Sequence, residues 1–293
     1  MSNSSSPQVS IVIVTWNVRE LLRANLARLF SLRENITFEV FVVDNGSNDG
    51  TAHMVRELFP QAHLITNDWD AGFAGPNNQA LRLAKGEVCI LLNPDMLVEE
   101  GALTRVYEKI TQDRSIGVLG IKLVSKEGKP INSVRHYPDW WSQLLIILKA
   151  QHLFPSALKY YLWDGFDFDR SQDVDQVRGS FFVFRRELLE TVGYLDEKSY
   201  HIWFEEVDYC RRVREKGLRI FHYADAQAHD YVGKGVSQMR RLETQLIFTK
   251  SMLNYFRKWH PRWQWWVLAC ARPIGLAAAC VADGWSWLTK TRI

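Results

Sequence analysis

Five carboxyl and amide side chains in this sequence follow apolar runs or open an amphipathic stretch. Asp44, Asn93 and Asp95 come where short β-branched runs end, and Glu205 and Glu206 are adjacent at the start of a later helical pattern. Such side chains can bind a divalent cation, hydrogen-bond a ligand or accept a proton. Each also has a structural alternative, because Asp caps turns and Glu pairs with basic residues on exposed helices.

Short apolar runs alternate with amphipathic stretches between residues 9 and 124. The runs lie at 9–16, 39–44, 63–67, 87–93 and 116–124, and their near-continuous apolarity is typical of strands covered on both faces. Leucines and aromatic residues recur at helical spacing at 21–30 and 103–110. This alternation predicts βαβ units, and therefore an α/β fold with a largely parallel sheet.

Polar residues follow three of these runs at the point where each strand should end. Ligands bind beyond the carboxyl ends of parallel strands, so these residues are the first candidates for a site. They are Thr15, Trp16 and Asn17 after the first run, residues 44–51 after the second, and Asn93, Pro94 and Asp95 after the fourth. One such Asp is weak evidence, but three polar strand ends at one sheet edge indicate a binding site.

The chain changes character after residue 124. Residues 125–175 lose the alternation and are rich in proline, aromatic residues and polar turns, which indicates an insertion around the mouth of a site. A second block has predicted strands at 177–185 and 218–228 and a helix at 204–216 that ends at Gly217. We expect an α/β domain over residues 1–240 and a helical region over residues 241–293.

The composition is that of an ordinary globular protein, with 47% hydrophobic and 24% charged residues. A formal charge of +3 is too small to indicate nucleic acid as a partner. The four cysteines are far apart in the sequence, so neither a zinc site nor a disulfide framework is expected. Residues 1–8 are polar and contain no apolar run of signal-peptide type, which favours a cytoplasmic location.

Tryptophan is concentrated near the C-terminal end, where half of the 12 tryptophans lie between residues 259 and 287. They flank an apolar stretch at 267–282, and several arginines and lysines are nearby. The stretch contains Arg272 and Pro273 and is shorter than the roughly 20 apolar residues that a membrane span requires. The pattern favours a helical segment attached to a membrane surface, with a buried helical pair and a true span as the alternatives.

Seven segments, in order along the chain, resemble the motifs of family 2 glycosyltransferases. They are VSIVIVTWN at 9–17, VVDNGSNDGT at 42–51, AGFAGPNNQA at 71–80, LLNPDM at 91–96, RGSFF at 178–182, WFEEVDYCR at 203–211 and His229. The resemblance covers residues 9–235 and implies the GT-A fold, which is a Rossmann-like mixed, mainly parallel sheet flanked by helices. LLNPD, EEVD and the VRHYP segment at 134–138 are most similar to bacterial rhamnosyltransferases.

The resemblance implies that the first four motifs bind a nucleotide sugar. Asp44 would accept the ring N–H of a uracil or thymine base, and the alternative is that it only caps the following turn. Gly46 would let the backbone turn near the ribose, with Asp49 as a second contact. Asn77 belongs to a loop that opens a helix, so it binds the nucleotide or caps that helix. The implied set is Thr15, Trp16, Asn17, Asp44, Gly46, Ser47, Asp49, Gly72, Asn77, Asn93 and Asp95.

Asp95 is the implied metal ligand, because Mg²⁺ or Mn²⁺ neutralises the charge on a diphosphate leaving group. Many relatives have Asp-x-Asp at this point, whereas this sequence has Asn93 in place of the first Asp, which removes one charge. His229 is at the position from which family members send an imidazole to the same metal. A histidine at the end of a strand is otherwise commonly structural.

The resemblance places the catalytic base of an inverting transferase at Glu206, where it would take a proton from the acceptor hydroxyl. The helix N-terminus there stabilises carboxylates. Adjacent helical residues point about 100° apart, so Glu205 would orient the acceptor, and Asp208 would pair with Arg211 or Arg212. Ion pairing on an exposed helix is the alternative for these acidic groups. The implied acceptor-binding residues are Glu205, Arg178, Gly179 and Ser180.

The leading hypothesis is a metal-dependent, inverting transfer of L-rhamnose from dTDP-rhamnose to a polyprenyl-diphosphate-linked saccharide at the cytoplasmic face of a membrane. A UDP-sugar or another dTDP-sugar would suit the nucleotide-side residues equally well. A non-catalytic sugar-nucleotide or glycan-binding partner of a membrane synthase is a different class, and the intact acidic groups argue against it. A dinucleotide-binding oxidoreductase is disfavoured because no G-x-G-x-x-G follows the first run.

Overall fold

The computed structural model describes residues 6–230 and 240–290, without the side chains of His152, Pro155 and residues 281–290. The strands are β1 Val9–Thr15, β2 Phe38–Asn45, β3 His63–Asn67, β4 Val88–Leu92, β5 Met96–Val98, β6 Ile116–Val124, β7 Val134–Arg135, β8 Gln172–Asp173, β9 Gln176–Val177, β10 Phe181–Arg185 and β11 Arg219–Asp230. The helices are α1 Arg19–Ser31, α2 Thr51–Leu58, α3 Ala74–Leu81, α4 Ala102–Gln112, α5 Trp140–Ile147, α6 Leu188–Thr191, α7 Glu205–Glu215, α8 Arg241–Trp259 and α9 Arg262–Lys290. Two 3₁₀ turns lie at Ala150–His152 and Pro155–Leu158.

A mixed sheet of nine strands forms the centre of the molecule. Its order is β3-β2-β1-β4-β10-β6-β11-β5, with β8 paired to β11. Strands β1 to β4 pair in parallel, and so do β6 and β11. Strand β10 runs antiparallel between β4 and β6, and β5 and β8 run antiparallel to β11. The predicted α/β fold with a mixed, mainly parallel sheet is confirmed, and β5, β8 and β10 run in the opposite direction to the other strands.

Helices cover both faces of the sheet. Side chains alternate along a strand, so Ile11 and Ile13 of β1 pack with Leu22 of α1 in one core cluster, while Val12 packs with Ala80 of α3 in another. All five side chains are fully buried. Burial of one such Ile, Leu or Val side chain contributes about 1.5–3 kcal/mol, so these apolar runs stabilise the strand ends at which the polar residues lie.

Two differences between the predicted and the observed elements have identifiable reasons. Residues 177–185 were predicted as one strand, but β9 pairs with β7 in a small second sheet and β10 pairs in the main one. Residues 178–180 carry the chain between the two sheets and therefore belong to neither. The helix predicted from residue 204 begins at Glu205 instead, because Phe204 has φ +71°.

Helices α8 and α9 pack against each other and against the α/β domain. A third core cluster joins Phe204 and Val207 to Tyr255 of α8 and Leu268 of α9. The predicted boundary at residue 240 thus falls just before a helix that shares a core with α7. The predicted interfacial attachment stays a prediction; the tryptophan, lysine and arginine side chains beyond residue 280 lie outside the described residues. In the part of the chain that the structure describes, no helix is long and apolar enough to cross a membrane.

Asp208 fastens α7 to α8. Its carboxylate is fully buried, accepts a hydrogen bond from Arg212 Nε at 2.8 Å, and lies 2.7 Å from Lys258 Nζ. Trp259 Nε1 donates to the same carboxylate at 2.8 Å. The predicted pairing of Asp208 with Arg211 or Arg212 is confirmed for Arg212, in a buried network rather than on an exposed helix. Loss of the fully buried Asp208 carboxylate would leave Arg212, Lys258 and Trp259 without this shared partner.

Candidate active site

A cavity of about 260 Å³ opens at the sheet edge where β1, β2 and β4 end. The edge collects residues from distant parts of the chain, because the start of the antiparallel β10 and the end of β11 lie there as well. Ten of the predicted site residues line the cavity: Thr15, Trp16, Gly72, Asn93, Asp95, Arg178, Gly179, Ser180, Glu205 and Glu206. The other lining residues are Val14, Val18, Asn45, Asp70, Phe73, Pro94, His201, Ile202, Trp203 and Asp230.

The loop after β4 is held by its neighbours on both sides. Asn93 N donates to the Ser180 carbonyl at 2.9 Å, which joins this loop to the turn before β10. Asn25 of α1 is buried, and its amide donates to the carbonyls of Asn93 and Met96 at 3.2 and 2.7 Å. Asp95 is 7% exposed in this loop. These bonds fix the backbone of the loop that carries Asp95 to the cavity wall.

The loop before α3 is locked against residues 201–203. Asn45 donates to the Gly72 carbonyl at 2.7 Å, and Phe73 N donates to the His201 carbonyl at 2.7 Å. Gly72 has φ +77°, and a Cβ there would lie 2.1 Å from the His201 carbonyl oxygen. Asp70 accepts a bond from Gly72 N at 2.9 Å, and hydrogen bonding to His201 lowers the pKa of Asp70. A side chain at position 72 would therefore separate two walls of the cavity.

Two consecutive aromatic residues with positive φ precede the glutamate pair. Trp203 has φ +67° and Phe204 has φ +71°. This region is unfavourable for bulky residues, at a cost of about 1–3 kcal/mol each, and such strain concentrates at functional sites. The sharp turn directs the start of α7, with Glu205 and Glu206, to the cavity.

Burial raises the pKa of both glutamates. The pKa of Glu205 is well above the ordinary value, and the neighbouring charge of Glu206 raises it further. Glu206 is also raised by burial, but backbone hydrogen bonds and the charges of Arg135 and Arg178 oppose that rise. The Oε2 atom of each has no hydrogen-bond partner among the described residues. A carboxylate whose pKa moves towards neutral pH is suited to act as a general base.

Three predicted nucleotide-side residues connect the loops after β1 and β2 instead of lining the cavity. Asn17 N donates to Ser47 Oγ at 2.9 Å, and Asn17 Oδ1 accepts from Asn48 N at 2.8 Å. Asp49 accepts from Arg19 N at 2.9 Å. Gly46, with φ +75°, begins the loop after β2 and does not line the cavity either. These residues hold the two loops together beside the site.

Asp44 makes the contact of its structural alternative, whereas Asn77 lies inside α3, whose N-cap is Phe73, and does not cap the helix. Asp44 is 3% exposed and accepts a bond from Ser47 N at 3.3 Å, a turn cap, and burial raises its pKa. Asn77 is 1% exposed and donates to the Phe73 carbonyl at 2.8 Å, at the start of α3. Neither residue lines the cavity. Asp44 is nevertheless in register with Thr15, which does line it.

Asp230 lines the cavity, and His229 does not. Successive side chains of a strand point to opposite sides, so only one of the two can face the site. His229 Nε2 lies 3.2 Å from Glu99 Oε1, whereas Asp230 is 4% exposed and its Oδ2 lies 3.6 Å from Arg178 Nη1. This geometry does not support His229 as a metal ligand, and it adds Asp230 to the acidic groups of the site.

The donor atoms at the cavity suit a hard divalent cation. Asp95, Asp230 and Asn93 offer oxygen ligands, and Mg²⁺ is commonly held by one or two carboxylates together with substrate phosphates. Within the described residues, no group of three or more His, Cys, Asp and Glu side chains is placed to hold a metal. The residues present therefore fit a cation whose coordination is completed by a bound diphosphate.

Sequence reasoning missed Asp70, His201 and Asp230. Asp70 directly precedes the third motif, and Asp230 directly follows His229, so one further residue at each end would have included them. His201 is brought to the site by its contacts with the loop before α3. Nothing in its spacing indicates that contact.

Residues 10–193, more than half of the chain, match glycosyl transferase family 2, and the chain belongs to this family. It is 24% identical over 216 residues to a low-salt glycan biosynthesis hexosyltransferase of Haloferax volcanii, covering 72% of this chain and 63% of that protein. It is 24% identical over 225 residues to an N-acetylglucosaminyl-diphospho-decaprenol L-rhamnosyltransferase of Mycobacterium tuberculosis, covering 71% and 70%. The predicted family resemblance is confirmed.

The fold is similar to that of a mannosyltransferase from Pyrobaculum calidifontis, solved in complex with GDP-Man and Mn²⁺. The TM-score is 0.58 at 20% identity, over 96% of this chain and 76% of that one. The predicted GT-A-like sheet flanked by helices is thus confirmed. The chain spans 63% of the length of the Haloferax relative and 25% and 16% of two other curated relatives.

Proposed function

We propose that this chain is an inverting, metal-dependent transferase that moves a sugar from a dTDP- or UDP-sugar to a saccharide acceptor. One observation carries the proposal: Asp95 and Glu206, 111 residues apart in the sequence, line the same cavity. A carboxylate that can hold the cation of a diphosphate thereby lies in one site with a carboxylate that can accept a proton. Metal-dependent inverting transfer uses both.

The residues of the site have distinct proposed roles. Asp95, with Asn93 and Asp230, would hold Mg²⁺ or Mn²⁺, which neutralises the charge of the departing diphosphate when bound. Glu206 accepts the proton of the acceptor hydroxyl as that oxygen attacks the anomeric carbon from the face opposite the diphosphate. Glu205, whose pKa is well above its ordinary value, stays protonated to a higher pH and can donate a hydrogen bond to the acceptor hydroxyl where that hydroxyl enters the first cavity.

We further propose that the donor is dTDP-rhamnose and the acceptor a polyprenyl-diphosphate-linked saccharide used in cell-surface polysaccharide synthesis. The LLNPD, VRHYP and EEVD segments support this choice through their similarity to rhamnosyltransferases. The name of the Mycobacterium tuberculosis relative, which includes both a diphospho-decaprenol and L-rhamnose, supports it as well.

An exposed aromatic surface supports peripheral attachment to the cytoplasmic face of a membrane. Trp141 of α5 is 48% exposed, and Trp263 and Trp266 of α9 are 53% and 61% exposed. The rings of Trp140 and Trp263 meet edge to face at 5.4 Å, which makes the two helices one surface. Trp rings prefer the headgroup level of a bilayer. Attachment there would confine the protein to the same surface as a lipid-linked acceptor.

A panel of donors tests the proposed reaction. Purified protein with Mn²⁺ and a polyprenyl-diphosphate-linked saccharide as acceptor is incubated in turn with dTDP-rhamnose, UDP-glucose, UDP-N-acetylglucosamine and GDP-mannose, and release of the nucleoside diphosphate is measured. We expect turnover with dTDP-rhamnose. Turnover with a UDP-sugar but not with dTDP-rhamnose would change the proposed donor and leave the proposed mechanism unchanged. Stabilisation of the fold by a nucleotide sugar without any turnover would favour the non-catalytic binding partner.

A further inference from the structure

A second cavity, of about 200 Å³, lies on the other side of Glu206. Glu206, Arg178 and Trp203 line both cavities, so they form the wall that the two share. The small sheet of β7 and β9 contributes Arg135, and α8 contributes Phe248. A hydroxyl bound in this second cavity would reach Glu206 from the side away from Asp95, which lines only the first cavity.

The charges around the second cavity are mainly positive. Arg135 and Arg178 are the basic residues that line it, and Glu206 is the acidic one. Both arginines are close enough to lower the pKa of Glu206. Arg178 is 36% exposed and its ion pair with Asp230 is 3.6 Å long, which leaves its donors able to reach a ligand. Once Glu206 takes up a proton, the cavity carries two positive charges.

Buried donor groups of the second cavity point to a polar occupant. Ser133 is 3% exposed, and its Oγ has no hydrogen-bond partner within the described residues. The same holds for Arg135 Nε, while Arg135 Nη1 makes only a long contact of 3.5 Å to Tyr161 Oη. A buried donor without a partner is unfavourable, and a bound anion would supply the missing acceptor.

Aromatic rings form another wall of the second cavity. Trp203 and Phe248 meet edge to face with ring centroids 5.9 Å apart. Such rings offer an apolar surface to the ring face of a sugar. The cavity is smaller than the roughly 300 Å³ of the smallest drug-sized sites, so it holds about one sugar residue.

We propose that this second cavity binds the acceptor, and that the acceptor sugar carries an anionic group, phosphoryl or carboxylate, held by Arg135 and Arg178. The inference rests on the proposed transferase function and deepens it. The acceptor oxygen forms a bond to the anomeric carbon, the bond from that carbon to the diphosphate oxygen breaks, and the hydroxyl proton passes to Glu206. The diphosphate leaves with the electron pair of the broken bond.

Calorimetric titration tests the charge preference. The full chain, saturated with Mn²⁺ and dTDP so that the first cavity is filled, is titrated with glucose 1-phosphate, glucuronic acid and glucose. We expect at least one of the two charged sugars to bind about tenfold more tightly than glucose, since charge-assisted hydrogen bonds are about twice as strong as neutral ones. Glucose 1-phosphate tests a phosphoryl group, and glucuronic acid tests a carboxylate.

Arg135→Gln is the informative variant, and Arg23→Gln is the matched control. Arg23 lies on α1, is 52% exposed and pairs with Glu20, away from both cavities. We expect Arg135→Gln to lose about tenfold in affinity for the charged sugar, Arg135→Lys to recover part of it, and dTDP affinity to stay unchanged in all three. Equal thermal unfolding midpoints would show that the fold is retained.

The contrary outcomes are separable. Equal affinity for all three sugars, binding of none, or an Arg135→Gln variant that matches Arg23→Gln would overturn the inference. If the wild-type protein still releases nucleoside diphosphate from its donor in those cases, the proposed function survives and only the anionic acceptor is excluded. Absence of donor turnover in the wild-type protein would instead exclude the proposed function.

Discussion

Glu205 and Glu206 are adjacent in the sequence, yet their surroundings assign them different protonation states. Glu205 is 3% exposed, and both its burial and the charge of Glu206 disfavour its ionised form. Glu206 has the positive charges of Arg135 and Arg178 to offset part of its burial. As the pH rises, Glu206 therefore loses its proton first and becomes the base, while Glu205 still carries one.

The pH dependence of transfer should report Glu206. Its ionised form is the active one, and its pKa is raised above 4.5, so we expect kcat/KM to fall on the acidic side with an apparent pKa above 4.5. In Arg135→Gln, loss of a positive charge should move this acidic limb to higher pH. Initial rates between pH 4 and pH 9 measure both. An apparent pKa at or below 4.5 for the acidic limb would contradict the assignment of Glu206 as the base. An acidic limb that Arg135→Gln does not shift would contradict it as well.

Glu205→Gln should stabilise the protein, and more so at higher pH. The folded state holds the Glu205 proton more tightly than the unfolded state, so the wild-type protein loses stability as the pH rises from the unfolded pKa through the raised folded pKa. Gln has no such proton to lose. Urea unfolding of both proteins at pH 4 and pH 8 gives the comparison. A stability gain that is equal at the two pH values would argue against a raised pKa at Glu205.

At the scale of an element, the turn before α3 depends on one glycine. Gly72→Ala should weaken dTDP binding at least several-fold, because the new Cβ would meet the His201 carbonyl at 2.1 Å and push two walls of the cavity apart. Gly128→Ala is the matched control, since Gly128 has the same φ of +77° but nothing within 4 Å of the added Cβ. The control should lose only the roughly 1–2 kcal/mol of an unfavourable φ. Equal dTDP affinity in the two variants would show that the contact with His201 is unimportant.

The strands were predictable where one local pattern decides the structure. The run at Ile116–Val124 was predicted to the residue, because continuous apolarity identifies strands covered on both faces. The run at His63–Asn67 was also predicted to the residue, although it is a partly exposed strand at the end of the sheet. The break at residues 178–180 was not predictable, since it depends on β9 pairing with a strand some 40 residues away. The same limit applies to the start of α7, which is set by the positive φ of Phe204.

The site was predictable in part: ten of the predicted residues line the cavity, and the others do not. Ordered motifs identified Asp95, Glu205 and Glu206, which line the cavity. The resemblance indicated His229 and not its neighbour Asp230, and adjacent residues of a strand point to opposite faces. Residues such as Asp230 are missed because motif spacing does not specify which face of a strand lines a cavity.

Considered as a whole molecule, the protein joins a catalytic sheet edge to an aromatic helical surface. Helix α8 shares a core with α7 through Phe204 and Tyr255, whose rings are 5.4 Å apart. Phe248 of the same helix lines the second cavity. The C-terminal helices thus form part of the site's support as well as the proposed membrane surface, so the two functions are physically connected.

The aromatic surface of α5 and α9 should bind anionic vesicles. We expect the wild-type protein to co-sediment with phosphatidylcholine vesicles that contain about 30% phosphatidylglycerol, and the double variant Trp263→Ser, Trp266→Ser to partition at least several-fold less. Trp69→Ser is the control, because Trp69 is 68% exposed but lies after β3, outside this surface. Equal loss in the control and the double variant would contradict the assigned surface, and so would absence of wild-type binding.

The most direct measurement for the whole account compares sugar transfer by Glu206→Gln and the wild-type protein with saturating donor and Mn²⁺. Glu215→Gln, an exposed residue of the same helix, is the control. We expect Glu206→Gln to lose roughly 10²–10⁴-fold in kcat, the usual contribution of a general base, while its affinity for the nucleotide is unchanged and the control keeps the wild-type rate. A Glu206→Gln variant that transfers sugar at the wild-type rate would contradict the assignment of Glu206 as the general base.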